Sequence, residues 1–332
     1  MHKLSLVQKE YKVLDVMKFV MAIVVVAIHT RPEMSFSSPL VRRLFESVYS
    51  IAVPFFFMAS GFLLFRKISL PLNEDGELRI KSYLKRMCRL YLVWTIIYLP
   101  LSIYGFYIDG LSPIKAVAVF IRNTLLVGEN FMSWPLWYLL ALIVAVSIIY
   151  MLLKLKVSKK WIVVISILMA FVGVGIDYCY ENELFNPLTE IYFKLFLKTR
   201  NGFFIGFLFV SLGMLCANLE ELSNSVWIGI FILGIVGMRL EYPLANALMT
   251  FALFVVSISM RWEWISYRFA MLSRAMSTII YFIHMIFMAT LVLWLGLNKG
   301  LLLFVLVTII SSILGILLLP YKNNSFLKMA FE

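Results

Sequence analysis

The sequence predicts an all-α, polytopic membrane bundle, and three observations carry that expectation. Apolar residues make up 62% of the 332 residues and charged residues only 14%, with a mean hydropathy of +0.93. Apolar stretches of about 18 residues or more recur from end to end, the length a helix needs to cross a hydrocarbon core of about 30 Å. No polar block is long enough to bury a core of its own, so residues 1–332 read as a single transmembrane domain with no soluble domain. The net charge of +12 is therefore a topology signal before it is a nucleic-acid signal, and no nucleic-acid partner is expected. Cys88, Cys179 and Cys216 lie in three separate apolar neighbourhoods. They predict neither a disulfide framework nor a metal site.

Lys3, Lys9 and Lys12 place the amino-terminal tail inside. Threading from there gives ten spans, at roughly 14–30, 47–65, 90–108, 135–153, 161–179, 202–218, 225–238, 243–260, 276–296 and 300–319, with both termini cytoplasmic. Of the 30 basic residues, this threading puts 19 inside, including Lys154, Lys156, Lys159 and Lys160, and ten outside, with Lys18 in the first span. The first span lacks a clear small-x-small cleavage site and is expected to be retained as an anchor.

The first span carries Asp15, Lys18 and His29 in an apolar run. Eleven residues separate Lys18 from His29, about 1100° of helix, so the two share a face roughly 16 Å apart. Ionisable groups inside a span are functional by default. A snorkelling lysine and an interfacial histidine are the other reading. Asp15, three residues before Lys18, is placed to pair with it.

The second span holds Val53-Pro54-Phe55-Phe56-Phe57-Met58-Ala59-Ser60-Gly61-Phe62. Its Ser60-Gly61 pair marks a place where helices, or a helix and a thin ligand, approach closely. The inner loop 66–90 ends in Lys85-Arg86-Met87-Cys88-Arg89. On a helix, Lys85, Arg86 and Arg89 line one stripe suited to phosphate oxygens or to anionic lipid. Residues 113–127 contain Lys115 and Arg122, and read as an amphipathic helix lying on the outer face or dipping part-way in, broken by Gly128, Glu129 and Asn130; a crossing here would make the spans eleven. Arg200-Asn201-Gly202, at the outer start of the sixth span, could donate to an acceptor, stabilise an oxyanion or anchor the interface. His284 lies about eight residues into the ninth span. No internal repeat stands out.

In order along the chain, Asp15 to Lys18 with His29, the Phe-Phe-Phe-Met-Ala-Ser-Gly segment, Lys85-Arg86-x-x-Arg89, Leu136-Trp137-Tyr138-Leu139 and Ser277 to His284 resemble the membrane acyltransferase-3 family. The resemblance covers nearly the whole chain. It implies transfer of an acyl group, often acetyl, from cytoplasmic acyl-coenzyme A to a hydroxyl of an extracytoplasmic glycan or lipid-linked saccharide, in a bacterial plasma membrane. It casts His29 and Lys18 as catalytic. Lys85, Arg86, Arg89, Ser60 and Gly61 would hold the donor, and Asp15, Trp137, Arg200, Asn201 and His284 would support the substrate; no metal is implied. A neutral imidazole suits the role, because it can take a proton from an acceptor hydroxyl within hydrogen-bond reach.

Lys18 in place of arginine, the Phe-Phe-Phe-Met run and Thr199-Arg200-Asn201-Gly202-Phe203-Phe204 look most like two branches of that family. One is the membrane domain of vancomycin-resistance serine racemases, and the other an enterobacterial common-antigen O-acetyltransferase. The first branch is associated with serine uptake, so a small-molecule permease is the alternative. Trp134-Pro135-Leu136-Trp137 departs from relatives that carry a histidine before Leu-Trp.

Overall fold

A computed structural model describes residues 11–217, 245–260, 262–321 and 323–331. Twelve α-helices and no strand occur among the described residues: α1 (Lys12–Thr30), α2 (Pro39–Phe65), α3 (Glu74–Ile108), α4 (Pro113–Arg122), α5 (Trp137–Lys154), α6 (Lys159–Glu181), α7 (Asn186–Phe196), α8 (Phe207–Cys216), α9 (Ala245–Ser259), α10 (Tyr267–Leu293), α11 (Leu301–Leu318) and α12 (Ser325–Phe331). Seven of them, α1, α2, α3, α5, α6, α10 and α11, are long and apolar enough to cross a membrane, while Gly202–Cys216 and Ala245–Ser259 are shorter apolar helices. Nine of the ten expected spans coincide with these elements. The tenth, 225–238, lies outside the described residues. The chain is a multi-pass membrane protein.

Several helices run past their apolar stretch. Pro39 starts α2 eight residues before the expected 47, because proline suits a first helical turn. The basic run before 90 belongs to the first turns of α3, which Asn73 caps by accepting from Gly76 N at 2.8 Å. Ser266 likewise caps α10 nine residues ahead of the expected start. The segment 113–127 forms α4 and a π-turn, Asn123–Val127, together about 22 Å long and too short to cross. No residue of α4 is buried, and Arg122 donates to the Lys194 carbonyl at 3.1 Å, tying the segment to α7.

Contacts between helix ends follow the expected alternation. At the end rich in basic residues, here called inner, Arg274 of α10 grips Asp15 of α1, and Lys154 of α5 meets Glu77 of α3 at 3.4 Å. At the opposite end Gly300 N donates to Thr30 O at 2.8 Å. The centre consists of α1, α2, α5, α8 and α10. Of the apolar window of α10, 67% is buried, against 22% for α6 and α11, so those two helices form the lipid-facing rim. Helix α2 packs on α8 through reciprocal glycines. A Cβ on Gly61 would meet the Val210 carbonyl and one on Gly213 the Met58 carbonyl. Such small-residue contact substitutes for the hydrophobic drive that lipid does not supply.

Candidate functional site

The site is built on two parallel helices, α1 and α10, both running from the inner to the outer end. Each carries a charged group low and a histidine high. Lys18 and His29 are eleven residues apart, Arg274 and His284 ten apart. Residues 274, 277, 281 and 284 share one face of α10, which faces α1.

At the inner end Asp15 is 5% exposed. Arg274 binds it with a two-pronged grip, Nε at 3.0 Å and Nη2 at 2.6 Å. Lys18 Nζ lies 3.9 Å from the same carboxylate, at the edge of ion-pair range, with its side chain 16% exposed. The carboxylate is thus committed to Arg274, and the Lys18 ammonium keeps donors for another group.

At the outer end the His29 and His284 rings lie 5.5 Å apart, and His29 stacks on Trp134 at 5.7 Å. His284 is fully buried. Its Nδ1 lies 2.9 Å from Ile280 O. A carbonyl only accepts, so Nδ1 carries the proton and Nε2 presents a lone pair. That Nε2 is buried without a hydrogen-bond partner. An orphaned acceptor beside a second, half-buried imidazole costs stability unless something uses it. His29 sits in the last turn of α1, yet level with His284, beyond which α10 continues nine residues, about 13 Å. The histidine pair therefore lies below the rim formed by α10 and the first turns of α2.

Cations flank this recess. Arg200 Cζ sits 4.9 Å from the Trp137 ring and Lys299 Nζ 5.8 Å from the Trp134 ring. The loop that presents Arg200 is held on both sides. Lys198 pairs with Glu129, Thr199 donates to Asp177, and Asn201 caps the π-turn Gly202–Gly206 by accepting from Phe203 N at 3.0 Å. The Asn201 amide also donates to Tyr192 OH at 2.8 Å. Burial pushes that phenol up to about 12, so it stays neutral and holds the loop across the physiological range.

Between the two ends runs a continuous line of aromatic side chains. Arg86 sits 5.3 Å from the Tyr83 ring, and Tyr83 approaches Ser60. Ser60 Oγ is 2.8 Å from Tyr138 OH, Tyr138 and Tyr281 are 5.7 Å apart, and Tyr281 lies 6.4 Å from His284. Tyr281 OH donates to Pro135 O at 2.7 Å, pinning α10 to the start of α5. These rings fill the seam among α2, α5 and α10.

The structure brings His29, His284, Trp137 and Arg200 to one mouth, Asp15 and Lys18 to one inner cluster, and Ser60 and Arg86 to the seam. It removes others from the expected positions. Gly61 is used by the α2–α8 contact, against the Val210 carbonyl. Lys85, Arg86 and Arg89 are all exposed, beside the packed face of Met87, Leu90, Tyr91 and Trp94; of the three, Arg86 lies over the Tyr83 ring at 5.3 Å, at the edge of the seam. Asn201 positions a loop through Phe203 N and Tyr192 OH, and lines a cavity together with Trp137. Arg274 and Lys299 join the site from outside the sequence motifs, whereas Trp134, Tyr138 and Tyr281 lie within them but carry no expected role. Arg274 had a signal, since it shares the helical face of Ser277 and His284.

A bundle of membrane-length helices with two histidines at its outer end, an Asp15–Arg274–Lys18 cluster at its inner end and an aromatic seam between them defines a class: integral-membrane proteins with ionisable groups held inside their spans. The acyltransferase-3 family model, an acyltransferase domain, matches residues 11–319, and the chain belongs to that family. It is similar to an amino-acid racemase of Enterococcus faecalis, 29% identical over 234 residues, which span 69% of this chain and 32% of the relative. It is also similar to a serine/alanine racemase of Enterococcus gallinarum, 30% identical over 235 residues, with coverage of 69% and 32%. The chain thus spans about a third of the length of these relatives. No solved structure matches.

Proposed function

We propose that the chain is a membrane-bound O-acyltransferase, moving an acyl group, acetyl in the simplest case, from cytoplasmic acyl-coenzyme A to a hydroxyl of an extracytoplasmic glycan or envelope acceptor in a bacterial inner membrane. The observation that carries this reading is the orphaned Nε2 of His284 beside His29, at the far end of a helix pair whose near end is cationic. In it, the acceptor hydroxyl donates to the His29 imidazole and its oxygen attacks the thioester carbonyl. The carbon–sulfur bond breaks, and the imidazole passes the proton to the leaving thiolate, so charge and atoms balance. His284, its tautomer fixed by Ile280 O, holds an unpartnered Nε2 with its ring 5.5 Å from that of His29, and takes up the His29 N–H as the two rings close on the bound acceptor. Lys18 and Arg86 meet donor phosphates as cations. The pantetheine arm enters the Ser60–Tyr138–Tyr281 seam when those rings swing aside.

The test is transfer of labelled acetyl groups from acetyl-coenzyme A to envelope glycan in inside-out vesicles. With His29→Ala the rate falls by about 100- to 10,000-fold, the usual range for a lost general base. Full activity in that variant overturns the mechanism. The second reading is a permease for a small molecule such as serine, favoured by the similarity to racemases acting on amino acids. Serine accumulation in proteoliposomes, with no acetyl transfer, would select it.

A further inference from the structure

We infer that the outer mouth binds a ligand bearing an acidic group, a carboxylate or a phosphate, held between Arg200 and Lys299 with its hydroxyl toward the two histidines. This rests on the acyltransferase reading for the ligand's role as acceptor.

The two cations stand on one short platform. Trp134 and Trp137 belong to consecutive turns at the start of α5, and each ring carries one cation, Lys299 at 5.8 Å and Arg200 at 4.9 Å. Trp134 is also the ring on which His29 stacks, at 5.7 Å, so the platform joins both charges to the reacting group. Both side chains are exposed, on backbone that is anchored beside each. Lys299 precedes Gly300, whose N–H bonds Thr30, the residue after His29. Arg200 lies between Thr199 and Asn201, each fastened to a different element.

The carboxylates nearby are already taken. Glu129 holds Lys198, Asp177 accepts from Thr199, and Glu33 is occupied by Arg31 and Tyr49. Among the described residues neither Arg200 nor Lys299 makes an ion pair. A neutral sugar would need hydrogen bonds here but not uncompensated positive charge. An acidic group would be drawn in by the field and could take both cations at once.

The experiment uses the full chain in phosphatidylcholine nanodiscs, titrated calorimetrically with methyl glucoside, methyl glucuronide and glucose 6-phosphate. The expected result is at least about tenfold tighter binding of one or both acids than of the glucoside, the effect of one charge-assisted contact or more. The acid that gains most identifies the group. Arg200→Gln with Lys299→Gln brings that ratio toward one, whereas Arg200→Lys with Lys299→Arg, which keeps the charge, preserves most of it. Equal affinities in the wild type, or a preference that survives the double glutamine variant, overturn the proposal. So does a preference abolished by adding phosphatidylglycerol to the discs, which would assign the cations to lipid headgroups.

His29→Ala separates this from the catalytic reading. Selective acid binding retained in that variant supports the site independently of turnover. Acetyl transfer that proceeds equally well to glucoside and acids keeps the acyltransferase reading and removes this one. Selective acid binding with no transfer to any of the three does the reverse.

Discussion

The two ends of the α1–α10 pair hold similar inventories and treat them differently. At the inner end a buried carboxylate is matched by Arg274 and Lys18 in one compact cluster. At the outer end two imidazoles face each other with an unused lone pair, and two cations nearby have no carboxylate among the described residues. A carboxylate gripped by an arginine is built to stay, with Lys18 at its edge left for the donor; polar groups left unsatisfied in a membrane protein are kept for something that arrives. The contrast separates a fixed, mainly structural end from a reactive one, although both are written in the same residue types at nearly the same spacing.

The largest expected effect tests the reactive end. His29→Ala lowers acetyl transfer by about 100- to 10,000-fold, while the unfolding midpoint in detergent stays within a few degrees of wild type. A large fall in the midpoint would break the contrast. Next, Asp15→Ala strips Lys18 and Arg274 of their shared partner at a mostly buried position. It should cost about 3 kcal/mol in unfolding measurements, and Lys18→Met on that background should recover part of the loss.

Gly61→Ala pushes a methyl group into the Val210 carbonyl and should cost about 1–3 kcal/mol, chiefly as thermal stability. That outcome would keep Gly61 outside the donor path; a change confined to the acetyl-coenzyme A KM would return it there. Arg86→Ala should raise that KM about tenfold as one phosphate contact is lost, whereas Lys85→Ala and Arg89→Ala should leave it within about twofold. Equal effects at all three would restore the full basic stripe. The smallest effect belongs to Tyr138→Phe, which removes the 2.8 Å link to Ser60 and should cost about 1 kcal/mol.

The membrane bundle was legible because a run of apolar residues long enough to cross lipid has few other uses. Lys18 and His29 were legible for the same reason, each being a costly group in such a run. The face of each helix was harder to read. In a soluble protein the outward face is polar, but lipid is as apolar as a neighbouring helix, so the sequence around Met87 and Leu90 does not say which side packs. That is why Lys85 and Arg89 were grouped with Arg86. The Ser60-Gly61 pair announced a close approach without saying whether helix or ligand makes it; α8 does, through Val210. The grip of Arg274 on Asp15 joins residues 259 apart in sequence, and no local pattern can announce it.

The low seat of His29 has an electrical consequence. Moving one charge through the whole membrane potential costs about 2.3 kcal/mol per 100 mV. With the recess open to the outer side, most of that potential would drop across the roughly 16 Å of packed protein between Lys18 and His29, and little across the recess itself. The proton would pass from the histidine to the thiolate at the centre itself, so the pantetheine arm would leave as a neutral thiol and carry no charge through the voltage, and an anion drawn in from outside would meet little opposing field. On the proposed reading, turnover at this centre runs at nearly the same rate in energised and de-energised membranes.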